Sequence, residues 1–68
     1  MEDRLRNRLK EARARLGVTQ QELAEKAGVS RKTINTIENG VFVPSTVLAL
    51  KLARVFRTSV EELFERED

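Results

Sequence analysis

The 68-residue chain is predicted to be all-α, a compact five-helix bundle. Three observations carry this expectation. Apolar residues recur at helical spacing in five short runs, most runs are bracketed by capping residues and glycine or Asn-Gly stops, and no stretch alternates apolar and polar residues for long between turn signals. Connections of a few residues leave no room for a linker, and no repeat or low-complexity tract is present. Residues 1–68 are therefore expected to form one domain.

Leu5, Leu9, Ala12 and Leu16 recur at one-face spacing and mark the first helix, which Gly17 stops. Thr19 followed by Glu22 is a capping-box signal for the second, in which Leu23, Ala24 and Ala27 supply the buried side before Gly28. Ser30 caps the third helix, where Ile34 and Ile37 share a face and Asn39-Gly40 closes the run. Pro44 and Ser45 open a fourth with Leu48, Leu52, Val55 and Phe56. Ser59 and Glu62 cap a fifth with Val60, Leu63 and Phe64.

Composition removes several function classes. Cysteine and histidine are absent, which excludes structural disulfides, thiolate or imidazole metal sites, and Ser/His or Cys/His nucleophile pairs. Ser30, Ser45 and Ser59 read as helix caps, so an enzyme has little support. The chain is too short to enclose a large ligand cavity, and no cofactor, metal or small-molecule ligand is expected. No apolar run approaches the roughly 20 residues that span a bilayer, and "MEDRLRNRLK" lacks a signal-peptide core; a cytoplasmic location is expected.

The formal charge of +2 hides an asymmetry. Residues 1–57 hold twelve Lys or Arg against six acids, a balance of +6, whereas residues 58–68 hold Arg66 against five acids, a balance of −4. A basic body suits a polyanionic partner, and it equally suits a solvated helical surface. The third helix narrows the choice. At about 100° per residue, Arg31, Lys32, Asn35, Thr36 and Asn39 centre roughly opposite Ile34 and Ile37. A helix of this width fits the major groove of B-DNA, where Arg and Lys donate to guanine, Asn pairs with adenine and Thr meets a thymine methyl. A generic solvated surface shows the same outward residue types.

Spacing across the hinge adds to this. Leu23, Ala24, Ala27, Gly28, Val29, Ile34 and Ile37 are in register for a helix-turn-helix, with Ala24 small enough for close crossing and Gly28 free to take a positive φ. Through "LKEARARLGVTQQELAEKAGVSRKTINTIENG", "PSTVLALKLARVF" and "SVEELF", the chain resembles the lambda-repressor-like family of phage and bacterial repressors, the Cro and xenobiotic-response-element type, over roughly residues 5–64. That resemblance implies a sequence-specific regulator of transcription that binds double-stranded DNA. It implies base reading by Arg31, Lys32 and Thr36 with Asn35 adjacent, backbone contacts from Ser30, Thr33 and Asn39, the last of which also has a helix-end role, and a Gln20 that both contacts a phosphate and braces the recognition helix. It further implies an ion pair between Arg13 and Glu38, which border the apolar faces of the first and third helices.

Two departures concern the loop after the third helix. Val41 and Val43 flank Phe42 where the family commonly has a Lys or Arg and an Asn, and Thr46 and Val47 reverse the usual apolar-then-polar order. Val41, Phe42, Val43 and Val47 either form an exposed apolar patch or, in the case of Phe42 and Val43, fold back on the core. A homodimer is expected because one short helix reads only a few base pairs, with Phe42, Val47, Val60 and Phe64 as candidate dimer residues. The alternative is a protein-binding module such as an antitoxin, whose acidic segment "VEELFERED" engages a basic partner while DNA binding is autoregulatory.

Overall fold

The computed structural model describes residues 4–67; Glu2, Asp3 and Asp68, which enter the charge balance above, lie outside the described residues. In chain order the elements are β1 (Arg4–Asn7), α1 (Leu9–Leu16), α2 (Gln20–Ala27), α3 (Arg31–Glu38), α4 (Thr46–Val55), α5 (Val60–Leu63) and β2 (Phe64–Glu67).

Local chemistry sets the helix ends. The Thr19 hydroxyl accepts from Glu22 N–H at 3.0 Å, and the Glu22 carboxylate accepts from Thr19 N–H at 2.9 Å, a reciprocal capping box that satisfies two otherwise orphaned donors. Ser30, Ser45 and Ser59 cap α3, α4 and α5 through Thr33, Leu48 and Glu62 N–H. Gly28 ends α2 at φ 73°, a left-handed conformation that costs a side-chain-bearing residue energy, and so turns the chain straight into the Ser30 cap.

The helices then bury one face each. Leu9 of α1, Leu23, Ala24 and Ala27 of α2, Ile34 and Ile37 of α3, and Leu48, Ala49, Leu52 and Ala53 of α4 meet Leu63 and Phe64 in one core. Leu9, Leu23, Ile34, Ile37 and Leu52 are fully buried. Each contributes on the order of 1.5–3 kcal/mol of transfer free energy. Ala24 lies where α2 crosses its neighbours, and α2 packs on both α3 and α4.

The all-α expectation needs correction at both ends of the chain. β1 and β2 pair antiparallel with Leu5 opposite Arg66, Arg6 opposite Glu65 and Asn7 opposite Phe64. Leu5 therefore belongs to a strand, and α1 begins at Leu9. The break falls at Arg8, whose N–H donates to the Leu63 carbonyl at 2.8 Å and whose guanidinium reaches Glu65 at 2.7 Å. Pairing with a segment some sixty residues away outweighs local helix propensity here. Leu16 is also less buried than its stripe suggests, because it overhangs the core at the end of α1.

The end of α4 has its own cost. Arg57 takes φ 55° so that Thr58 N–H can reach the Ala53 carbonyl at 2.9 Å. A left-handed conformation at a residue with a Cβ costs about 1–2 kcal/mol. Arg57→Gly is therefore expected to raise stability by about 0.5–1 kcal/mol after the entropy of glycine is offset, and Tm by a few degrees. A thermal melt showing a lower Tm would refute this.

The capping box makes a pH prediction. Hydrogen bonding from the Thr19 backbone, then from its side chain, holds the Glu22 carboxyl below its ordinary value of 4.5. A depressed carboxyl contributes stability that is full above the ordinary value and is lost as pH falls through and below it. The Tm advantage of wild type over Glu22→Gln should accordingly be present at pH 7 and shrink below about pH 4.5; a constant difference across that window would contradict the assignment.

Candidate nucleic-acid interface

α3 divides cleanly along its length. Ile34 and Ile37 are buried, Arg31, Lys32, Asn35 and Asn39 are exposed, and Thr33 and Thr36 are half-buried between them. Neither Arg31 nor Lys32 is ion-paired with an acid among the described residues. Their charge is thus available to an external anion. The hydroxyls are partly committed: Ser30 Oγ lies 3.0 Å from Thr33 Oγ1 and accepts from Thr33 N–H, and Thr36 Oγ1 donates to the Thr33 carbonyl at 2.9 Å. Asn39 is the C-cap of α3, its N–H bonded to the Asn35 carbonyl at 3.0 Å.

What fixes this face lies at its margin with the buried side, where Glu38 stands between Ile34 and Arg31 around the helix. Glu38 Oε2 accepts from Arg13 Nε at 2.6 Å and Oε1 from Arg13 Nη2 at 3.1 Å, a two-pronged pair that ties α1 to α3. The Glu38 side chain is 5 % exposed and that of Arg13 is 17 % exposed. Hydrogen bonding to Glu38 raises the Arg13 pKa above its ordinary value; burial opposes this, and the Glu38 charge reinforces it. Arg13 also donates to the Val18 carbonyl at 3.2 Å, so the same guanidinium holds the chain as it leaves α1.

Gln20, at the first position of α2, donates from Nε2 to Glu38 Oε1 at 3.1 Å and to Asn35 Oδ1 at 3.3 Å. Its side chain is directed into the protein rather than left free for a phosphate. Thr19, Gln20 and Gln21 nevertheless border a shallow depression together with Arg31, so the start of α2 and the start of α3 form one continuous surface.

Asn7 is the structural contributor that the sequence did not single out. Its Nδ2 donates to the Ile37 carbonyl at 2.8 Å and its Oδ1 accepts from Leu9 N–H at 3.2 Å. One amide therefore caps the start of α1 and satisfies a carbonyl in the last turn of α3. Asn7 stands one residue ahead of the Arg8 N-cap position, and nothing in the sequence marks it as the Leu9 N–H partner because Leu5 continues the apolar stripe back across it.

The candidate dimer residues separate. Phe42 is 47 % exposed and Val47 62 %, with Val41, Val43 and Leu50 also exposed, so Phe42 and Val43 do not fold back onto the core. Val60 is half-buried. Phe64, at 6 % exposed, is a core residue that has little surface left for a partner. The reason is that β2 carries it beneath the bundle instead of leaving it on an outward helix face.

A helix-turn-helix family model matches residues 9–63, the span from the start of α1 to the end of α5, and leaves the two strands outside. An uncharacterized HTH-type transcriptional regulator of Archaeoglobus fulgidus is 50 % identical over 64 residues, which cover 94 % of this chain and 91 % of that one. YgzD, an uncharacterized HTH-type transcriptional regulator of Bacillus subtilis, is 44 % identical over 64 residues, with 94 % and 97 % covered. A crystal structure of a Bacteroides fragilis protein proposed to bind DNA superposes with a TM-score of 0.80 at 28 % identity, covering 90 % of this chain and 98 % of that one.

The ion pair yields a stability prediction. Arg13→Met leaves the Glu38 carboxylate in a nearly closed site with Gln20 as its remaining side-chain donor. Breaking a buried pair from one side costs about 3–5 kcal/mol, and the partial exposure of Arg13 argues for the lower end. A fall in Tm of roughly 10 °C or more is expected by thermal denaturation. An unchanged Tm would show that the pair does not anchor α3.

Proposed function

The chain belongs to the helix-turn-helix family of transcriptional regulators, and on that premise we propose that it is a sequence-specific double-stranded DNA-binding repressor that acts as a homodimer. The family and the relatives above are regulators, not enzymes. One observation carries the reading: α3 is fastened to α1, α2 and the end of β1, while its outer side offers two cations without acidic partners among the described residues and an exposed amide. A rigid helix with outward donors is what major-groove reading requires.

In this proposal residues 1–68 act as one DNA-binding domain in the cytoplasm, with no cofactor, metal or small-molecule ligand. No helix among the described residues is long and apolar enough to cross a membrane. Arg31, Lys32, Asn35 and Thr36 read base edges. Ser30, Thr33 and Asn39 contact the DNA backbone, as does Gln20, through its main-chain N–H in the first turn of α2, where orphaned donors suit a phosphate. Arg13 and Glu38 are scaffold. Two copies are needed because one eight-residue helix spans only a few base pairs, and the exposed patch of Val41, Phe42, Val43, Val47 and Leu50 is the proposed contact between them.

The antitoxin reading is less favoured. Residues 60–67 form α5 and β2, paired to β1 and to Arg8, and so do not constitute a loose acidic tail for a basic partner.

Two experiments test the proposal. Duplexes selected from a random pool should bind wild type tightly, and Arg31→Ala should cost about 1–3 kcal/mol on the selected site while weakening random DNA far less. Equal losses on both duplexes would reduce Arg31 to a phosphate contact. By sedimentation at micromolar concentration, wild type should be dimeric and Phe42→Ala should shift it toward monomer. A wild-type monomer, free and on one half-site, would overturn the homodimer.

A further inference from the structure

We propose that Asn39 is a spontaneous modification site: in the free protein its side-chain amide is converted to aspartyl or isoaspartyl, and the converted protein loses its hold on DNA. The loss of binding rests on the DNA-contacting role proposed for the end of α3; the conversion does not. Three asparagines occur in the chain, and their surroundings differ. Asn7 precedes Arg8, and its amide is engaged at both ends, by the Ile37 carbonyl at 2.8 Å and by Leu9 N–H at 3.2 Å. Asn35 precedes Thr36, and its Oδ1 accepts from Gln20 at 3.3 Å. Asn39 is exposed, and its side chain has no hydrogen-bond partner among the described residues. It precedes Gly40, where a Cβ would meet nothing within 4 Å. With no side chain at Gly40 to shield it, a main-chain nitrogen stands next to an unengaged side-chain carbonyl.

The reaction needs only water. The Gly40 nitrogen attacks Asn39 Cγ, the side-chain nitrogen leaves as ammonia with the proton that Gly40 gives up, and a cyclic succinimide closes. Water then opens the ring and returns a proton to the Gly40 nitrogen. Opening at the side-chain carbonyl gives aspartyl; opening at the main-chain carbonyl gives isoaspartyl, in which the chain runs through the side-chain carbon. In the folded state the Gly40 N–H donates to the Ile37 carbonyl at 3.0 Å and Asn39 has ψ 1°, so the last turn of α3 must open before the ring can close. Asn7 holds the same Ile37 carbonyl from β1 and so restrains that opening. Both products place a carboxylate at the C-terminus of α3 beside Glu38, where the helix dipole opposes negative charge and a DNA phosphate is repelled. The isoaspartyl product also adds a carbon to the chain just ahead of Val41 and Phe42, whose N–H groups both rest on the Thr36 carbonyl at 2.9 and 3.2 Å. Bound DNA covers Asn39 and restrains the turn, so conversion retires free copies and spares those on their site.

The test is timed incubation of the full chain in warm, mildly alkaline buffer, free and saturated with a duplex selected from a random pool, read by peptide mass and by affinity. Free wild type should gain the mass of an amide-to-acid exchange at residue 39 well ahead of Asn7 and Asn35, with ammonia released in step, and the DNA-bound sample should convert more slowly. Converted chains, separated by charge, should bind the selected duplex about tenfold or more weakly than fresh ones, the effect of losing a hydrogen bond to a charged group, and Asn39→Asp should reproduce that loss. Asn39→Gln should keep its starting mass and its starting affinity over the same time. Asn7→Ala should convert several-fold faster than wild type when folded and at the same rate when both are unfolded in urea, which separates the opening of α3 from the chemistry. Conversion spread evenly over the three asparagines, or none at residue 39 in the folded protein, would overturn the site. Full affinity in the converted chains would overturn the loss of binding. If fresh wild type selects no duplex, the reading of α3 falls and the mass measurements still decide the modification.

Discussion

The Glu38 carboxylate is the point on which the arrangement depends. It sits in the last turn of α3, is almost fully enclosed, and accepts from Arg13 of α1 and Gln20 of α2. Three helices are referred to one group. Desolvation offsets much of the Coulomb gain of such a pair, so its contribution is orientation more than net stability. Apolar packing of Ile34 and Ile37 brings α3 to the core, but apolar contact alone tolerates small rotations, whereas a two-pronged Arg–carboxylate pair does not.

From that anchor the rest follows outward. The capping box and Gly28 set the angle at which the chain turns from α2 into α3, and Ser30 starts α3 with Arg31 in its first turn. Asn7 holds a carbonyl of the last turn from the far side, and β2 holds β1, so the two ends of the chain brace the same helix. The terminal sheet therefore contributes to the site as well as to the fold. Its cross-strand register sets Arg6 opposite Glu65, and Arg8 closes on Glu65 at 2.7 Å, which places the acidic C-terminal segment against the basic N-terminal one.

Much of this was legible because it is written locally. Thr19 with Glu22, Ser30 three residues before Thr33, and the glycines after α1 and α2 are short-range signals, and they located α1's end, α2 and α3. The stripe positions of Ile34 and Ile37 gave α3 its inner and outer sides. What was not legible is non-local. "RLRN" and "FERE" are each too short to show alternation, and Leu5 fits a helical stripe as well as a strand until its partner sixty residues away is known. The same strand pairing sets Asn7 against Leu9 N–H and turns Phe64 into the core. Arg57 at a position where glycine is usual carried no helix-stop signal, and the link from Gln20 to Asn35 depends on a distance that no spacing rule supplies.

In the proposed function α3, fixed through Glu38, reads bases with its outer face while its cations also meet phosphates. The salt dependence of binding, measured in parallel on a selected duplex and on a random one, addresses both halves at once. Phosphate contacts release counterions and give each plot of log affinity against log salt a slope of about −0.9 per contact, whereas base-edge hydrogen bonds add affinity without adding slope. Two steep lines are expected, near parallel and separated by about tenfold or more across the salt range. Coincident lines would mean that the protein binds DNA by charge alone, and a flat response on both would mean that α3 does not meet DNA at all.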